Sequence, residues 1–195
     1  MVTEKYGWHT REYLKSLNLQ SLGENVYISS KCSIYGASNI SIGDNVRIDD
    51  FCVITSKRGN LLLEGNNHIG ALTYLNGNGG VTFKKYSGVS SRCSIYSETD
   101  DYEGGYLTNP TIPNEYKNVK NGAVYIGLHV VVGTNSTILP GAHLSDYCSI
   151  GCNSVVSGKT KESLFHMGFP LMGIKKRDKE GISKMENAYI RSLNK

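Results

Sequence analysis

No stretch of the sequence approaches the roughly eighteen apolar residues of a membrane-spanning helix, so no membrane span is expected. The opening MVTEKYGWHTREYL also lacks the apolar middle of a signal peptide, and a cytoplasmic protein is expected. The five cysteines, at 32, 52, 93, 148 and 152, form no CxxC pair, which argues against a disulfide framework and against a thiolate zinc site. No GxGxxG leads into a helix, and P-loop, GxSxG and HExxH motifs do not occur. Nothing therefore favours dinucleotide binding, ATP hydrolysis, a serine hydrolase or a zinc protease. The five histidines, at 9, 68, 129, 143 and 166, make no metal triad by local spacing, and no metal is expected. Charge of one sign is in slight excess: 21 Lys and Arg against 17 Asp and Glu give +4, which permits anionic ligands and lends no support to a nucleic-acid partner. With 39% hydrophobic and 19% charged residues, the 195 residues suit one folded domain of ordinary size.

What is present in excess is glycine, 22 against four prolines, and its cause lies in a repeat. Aliphatic residues recur every six positions at 22, 28 and 34, then at 42, 48 and 54, and again without a break at 126, 132, 138, 144, 150 and 156. Four residues after all of these but Ile54 stands a small or modest side chain, at Val26, Cys32, Ser38, Val46, Cys52, Val130, Ser136, Ala142, Cys148, Ser154 and Thr160. A helix repeats near 3.6 and a lone strand at 2, so a period of six is neither. Stacked short units explain it: each six-residue unit holds a strand and a corner, and three units make one turn of a prism whose interior takes the aliphatic residue. Cysteines 32, 52, 93 and 148 fall at the small inward position, and Cys152 falls outside it. Glycines at 23, 43, 70, 127, 133 and 151 follow the aliphatic residue and are expected to supply turns. The middle of the chain keeps the pattern imperfectly, at 69, 75, 81, 89 and 95.

Three segments leave the period. Residues 1–21 are expected to form a helical cap, with Thr10 as N-cap and Tyr13, Leu14 and Leu17 as the buried face. Residues 97–122 form a loop rich in Asp, Glu, Tyr, Asn and Pro that interrupts the repeat domain 22–160, and so long an excursion points to function. Residues 161–195 form a tail, readable either as an amphipathic helix through Ile182, Met185, Tyr189, Ile190 and Leu193 or as a solvated segment.

The repeat resembles that of the hexapeptide acyltransferases over residues 22–173. The resemblance implies an all-β fold, a left-handed parallel β-helix, with acetyl-CoA as cosubstrate. The stretches around REYLKSLNLQSLGENVYIS and SIYSETDDYEGGYLTNPTIP look like the branch found in bacterial O-antigen and surface-polysaccharide synthesis. That branch implies a nucleotide-linked sugar as acceptor, several members acetylating dTDP-4-amino-4,6-dideoxy-D-glucose, and a homotrimer with sites between adjacent subunits.

Transfer of an acetyl group needs a proton taken from the attacking amine or hydroxyl, work suited to histidine. His129, three residues after inward Ile126, and His68, just before inward Ile69, are the candidates on the coil, and His143 is a weaker third. Sugar O-acetyltransferases of the family carry their catalytic histidine in the excursion loop, where this chain has Thr99, Asp100, Asp101 and Tyr102. Asp100, or Asp101 as the alternative carboxylate, thus joins the candidate bases. A neutral amine attacks a thioester with less help than a hydroxyl, so the missing histidine favours N-acetylation. O-acetylation and a non-catalytic trimeric binding protein are the alternatives. Asp101 and Glu103 are candidates for orienting a substrate ammonium, and Tyr102 and Tyr106 for stacking on a base. Gly168 and Pro170 match the family's Gly-x-Pro segment after the last coil, which holds the coenzyme, and Lys159, Lys175, Lys176 and Arg177 around it are candidate partners of its phosphates.

Overall fold

The computed structural model describes residues 4, 5 and 7–193, with the side chains from Gly7 to Ser192. Coils of about twenty residues pass through three short strands each, and equivalent strands stack in parallel into three flat faces. The first face stacks Tyr27–Ile28, Arg47–Ile48, His68–Ile69, Gly88–Val89, Val131–Val132 and Ser149–Ile150. The second stacks Ser33–Tyr35, Val53–Thr55, Tyr74–Asn76, Ser94–Tyr96, Thr137–Ile138 and Val155–Val156. The third runs from Ser21–Leu22 through Ile40–Asp44, Leu61–Gly65, Val81–Phe83 and Val124–Ile126 to His143–Leu144.

Because side chains alternate along a strand, each face sends one aliphatic column inward, and in-register pairing stacks the columns. The expected inward residues from Ile42 to Val156 are all buried, and the first-coil residues Leu22, Cys32 and Ile34 are only partly covered. Ser38 departs from the pattern. It is exposed in the short turn Ala37–Asn39, which accommodates the two-residue offset between the first two runs of the repeat.

The glycines have a different reason from the turn expected of them. Gly43 and Gly127 have no positive φ, and a Cβ there would collide with the backbone of the next coil, at Glu64 and Asp146. Close stacking, not turn geometry, selects glycine here. Left-handed backbone falls instead on two corner columns: Asn25, Asn45, Asn66, Tyr86, His129 and Tyr147 between the third and first faces, with φ between 52° and 59°, and Phe51, Leu72, Arg92, Asn135 and Asn153 between the first and second, with φ between 54° and 62°. In the first column the asparagines form a side-chain ladder, Asn25 Nδ2 donating to Asn45 Oδ1 at 3.1 Å and Asn45 Nδ2 to Asn66 Oδ1 at 3.3 Å. The rings continue it, Tyr86 over His129 at 4.9 Å and His129 over Tyr147 at 5.2 Å.

Both ends of the prism are covered. Helix α1 (Arg11–Ser16) has Thr10 Oγ1 accepting from the Tyr13 N–H, and it seats Leu14 fully in the core with Tyr13 and Leu17 beside it. At the other end the coil continues past the end of the six-residue period: Leu164–Met167 pairs in parallel with Ser149–Ile150 and turns back into Met172–Lys176. Helix α2 (Lys179–Leu193) follows. Its inner side carries Ile182, Ser183 and Glu186, whereas Met185, Tyr189 and Ile190 are exposed; the Leu193 side chain lies outside the described residues.

His166 takes the inward position beneath Ile150, where the column otherwise holds aliphatics. Its Nε2 accepts from the Lys161 N–H at 3.3 Å, and its Nδ1 is buried with no partner among the described residues. Burial lowers its pKa, outweighing the pull of the Leu164 and Ser149 carbonyls, and Lys161 adds repulsion. The unfolded chain therefore takes up a proton near pH ~6.5 that the folded chain resists, and stability is full above that pH and declines below it. His166→Leu is expected to flatten this part of the decline between pH 7.5 and 5.5 in urea unfolding. An unchanged decline would show that the residue titrates alike in both states.

Candidate functional site

A convergence of polar side chains lies on the second face, under the excursion loop. The loop leaves and rejoins the prism on a two-stranded stalk, Glu98–Thr99 against Lys120–Asn121, so its base is fixed. Between loop and face is a cleft of about 640 Å3 with Tyr74, Asn76 and Tyr96 on its floor and Asp100, Tyr102 and Lys117 on the loop side. Lys57, Arg58, Asn78 and Glu98 complete its corner.

Glu98 is the hub of that corner. Its Oε1 accepts from Asn78 Nδ2 at 2.7 Å and Asn76 Nδ2 at 3.3 Å, and its Oε2 from Arg58 Nη2 at 2.6 Å. Burial disfavours its charge, but these donors outweigh burial and hold the carboxyl below the usual range. Tyr74 and Tyr96 lie with ring centroids 5.3 Å apart, an aromatic wall beside this anion. None of Arg58, Asn76, Asn78 and Glu98 was singled out by motif. A signal existed: 58, 78 and 98 are one coil apart and therefore stack.

The loop residues divide in role. Asp100 lines the cleft, and its Oδ2 accepts from the Asn109 N–H at 3.2 Å. Asp101 is buried, and its oxygens take the Glu103 N–H, Asn118 Nδ2 and Lys120 Nζ. The expectation that Asp101 contacts substrate gives way to a structural one, because the loop's own donors occupy it; they also hold its carboxyl below the usual range. Glu103 points to solvent and pairs with Lys120 at 2.8 Å. Tyr102 is 90% exposed and lines the cleft, and Tyr106 is exposed outside it.

The candidate histidines lie elsewhere in the chain. His68 stands on the first face, its Nε2 2.7 Å from Asp49 Oδ2, while Asp49 Oδ1 accepts from Arg47 Nε at 2.6 Å. Asp49 is driven up by burial and more strongly down by His68 and Arg47, leaving its carboxyl below the ordinary value. His129 is packed between Tyr86 and Tyr147, and its Nε2 meets Glu186 of α2 at 3.0 Å, so its contacts fasten the helix to the corner. His143 stacks on Tyr125 at 4.5 Å. Within one chain neither His68 nor His129 lines the Asp100 cleft.

At the far end, Gly168 and Pro170 form the turn of the terminal hairpin, the Gly168 N–H donating to Ser154 Oγ at 2.9 Å. Lys159, Lys175 and Lys176 are exposed; Lys175 and Lys176 pair with Phe165 and Leu164 at the end of the hairpin away from that turn, and Lys159 bridges His143 on the third face. Arg177 is half-buried, and its Nη1 donates to the carbonyls of His129, Tyr147 and Cys148 at 2.7–2.9 Å, which caps the left-handed corner. Among the described residues no group of three or more His, Cys, Asp and Glu is placed to hold a metal, and no helix is long and apolar enough to cross a membrane.

No family model matches the sequence. Individual proteins do. The chain is 43% identical over 176 residues to the dTDP-4-amino-4,6-dideoxy-D-glucose acyltransferase of Escherichia coli, covering 90% of this chain and 91% of that one. It superposes on AntD, an N-acyltransferase from Bacillus cereus in complex with dTDP and 3-hydroxybutyryl-CoA, with a TM-score of 0.91 and 38% identity over 98% of this chain and 100% of that chain. A variant of AntD in complex with dTDP-4-amino-4,6-dideoxyglucose and coenzyme A gives 0.89 and 37%, over 96% and 100%. Identity at this level across nearly the whole length, on the same stacked coils, makes the chain a member of the left-handed β-helix, hexapeptide-repeat acyltransferases to which these enzymes belong.

Proposed function

We propose that the protein is a cytoplasmic homotrimer that transfers acetyl from acetyl-CoA to the amino group of a nucleotide-linked aminosugar, dTDP-4-amino-4,6-dideoxy-D-glucose. The observation that carries this reading is the second-face cleft, which sets cations, carboxylates and aromatic walls around one space under a histidine-free loop. A nucleotide aminosugar has the matching parts: a flat base, an anionic diphosphate and a cationic amine. The ligands of AntD support the same acceptor class.

Asp100 is the group for the reacting amine. It holds the substrate ammonium, which gives one proton to solvent; the nitrogen of the neutral amine then attacks the thioester carbonyl carbon, and Asp100 takes the second proton as the N–C bond forms. The C–S bond breaks, that proton passes from Asp100 to the sulfur, and coenzyme A leaves as the thiol. AntD has been substituted at a serine and at an aspartate ten positions further on. Ser90 and Asp100 share that spacing here, as do Ser91 and Asp101, and of the two aspartates Asp100 lines the cleft. Ser90 does not line the cleft of its own chain, which favours a site completed by a neighbouring subunit. The coenzyme's phosphates are assigned to Lys159, Lys175 and Lys176, and its arm to the turn at Gly168 and Pro170.

One observation favours O-acetylation as the second reading: His68 held by Asp49 is the oriented histidine that a hydroxyl nucleophile needs. Acyl choice is tested by thiol release from acetyl-CoA and 3-hydroxybutyryl-CoA with the aminosugar as acceptor. Faster turnover of acetyl-CoA is expected, and turnover confined to the longer donor would overturn the acetyl assignment.

A further inference from the structure

The geometry points to Arg58 as the residue that selects a diphosphate-bearing acceptor, with Glu98 as the positioning residue that aims it; this rests on the function proposed above. Arg58 stands where the second-face cleft meets an adjoining groove along Gly59, Asn60, Gly79 and Gly80. Its side chain is 64% exposed, whereas that of Glu98 is 13% exposed. An ion pair with one partner so open to solvent stabilises little, too little to explain why two asparagines converge on the same carboxylate. Their effect is to immobilise Glu98, and through it the guanidinium. Only Nη2 of Arg58 is engaged among the described residues, so its remaining donors are left for a ligand.

The surroundings say which ligand. Lys57 and Lys117 line the same cleft, giving three cations with Arg58, while the carboxylates are Glu98 and Asp100. Arg58 balances the charge of Glu98 and the two asparagines satisfy its other oxygen, so Lys57 and Lys117 supply the positive charge in excess for an added anion, the unengaged N–H groups of Arg58 supply directed donors, and Asp100 is left for a cation. A guanidinium binds phosphate oxygens through paired, parallel N–H bonds, and one held in place beforehand loses little rotamer freedom on binding. A diphosphate fits this arrangement, and a neutral sugar does not.

The test uses the full-length protein and measures binding of dTDP and thymidine to wild type, Arg58→Ala, Arg58→Lys and Glu98→Gln, together with KM and kcat for the nucleotide aminosugar. Arg58→Ala is expected to weaken dTDP by about tenfold or more, the loss of a charged hydrogen-bonded contact, while thymidine affinity stays as in wild type. KM should rise in step with kcat nearly unchanged, Arg58→Lys should recover part of the loss, and Glu98→Gln should lie between wild type and Arg58→Ala. Equal weakening of dTDP and thymidine, or dTDP binding untouched in Arg58→Ala, would overturn the assignment. Wild type that binds neither ligand would instead overturn the acceptor class itself.

Discussion

Phe83→Ala is expected to lower the unfolding free energy by about 3–5 kcal/mol, among the largest effects of any single truncation in this chain. Phe83 is the largest fully buried side chain, and it sits in the third-face column between Leu63 of one coil and Ile126 of the next. In a stacked fold each coil is stabilised mainly by its two neighbours, so a cavity in the middle weakens two interfaces at once. The same truncation at Leu22 should cost much less, because that residue is only partly buried in the first coil. Urea unfolding followed by far-ultraviolet circular dichroism measures both. A loss below about 1 kcal/mol for Phe83→Ala would mean that the coils relax around the cavity more freely than close packing allows.

Asp100→Asn should reduce kcat by roughly 10²- to 10⁴-fold, the usual contribution of a positioned acid or base, with nucleotide binding preserved. Asparagine keeps an oxygen for the Asn109 N–H, so the loop has no reason to move, and only the negative charge is lost. Asp101→Asn is the contrasting variant. Its carboxylate ties together the Glu103 N–H, Asn118 and Lys120, so its loss should loosen the loop and act chiefly on KM. Should Asp100→Asn remain active while His68→Asn loses activity, the proton would be going to the first face, and the hydroxyl reading would gain the support the amine reading lost.

The interior of this fold was legible because the period is long and strict. Six-residue spacing placed the inward residues from Ile126 to Val156 correctly, and even the irregular middle yielded Ile69, Leu75, Val81, Val89 and Ile95. It gave way where local chemistry overrode the count: Ser38 on an inserted turn, and His166 in a column that the fading period had ended too soon. A glycine after each aliphatic residue suggests a turn, yet at Gly43 and Gly127 what selects it is the backbone of the adjacent coil, a contact about twenty residues away that no local pattern reports. The site was less legible for the same reason. Asp100 and Tyr102 stood out in an unusual loop, but their partners Arg58, Asn76, Asn78 and Glu98 come together only through stacking. His129 and Arg177 carried attractive chemistry in the sequence and turn out to fasten the last corner and α2. A side chain's identity does not disclose whether the fold has already engaged it.

Transfer to nitrogen is tested by incubating the purified protein with acetyl-CoA and either dTDP-4-amino-4,6-dideoxy-D-glucose or its 4-hydroxy counterpart, and weighing the products by mass spectrometry. One added acetyl group, in amide linkage, is expected on the aminosugar, and none on the hydroxyl sugar. Acetylation of the hydroxyl sugar with the aminosugar left unmodified would contradict transfer to nitrogen.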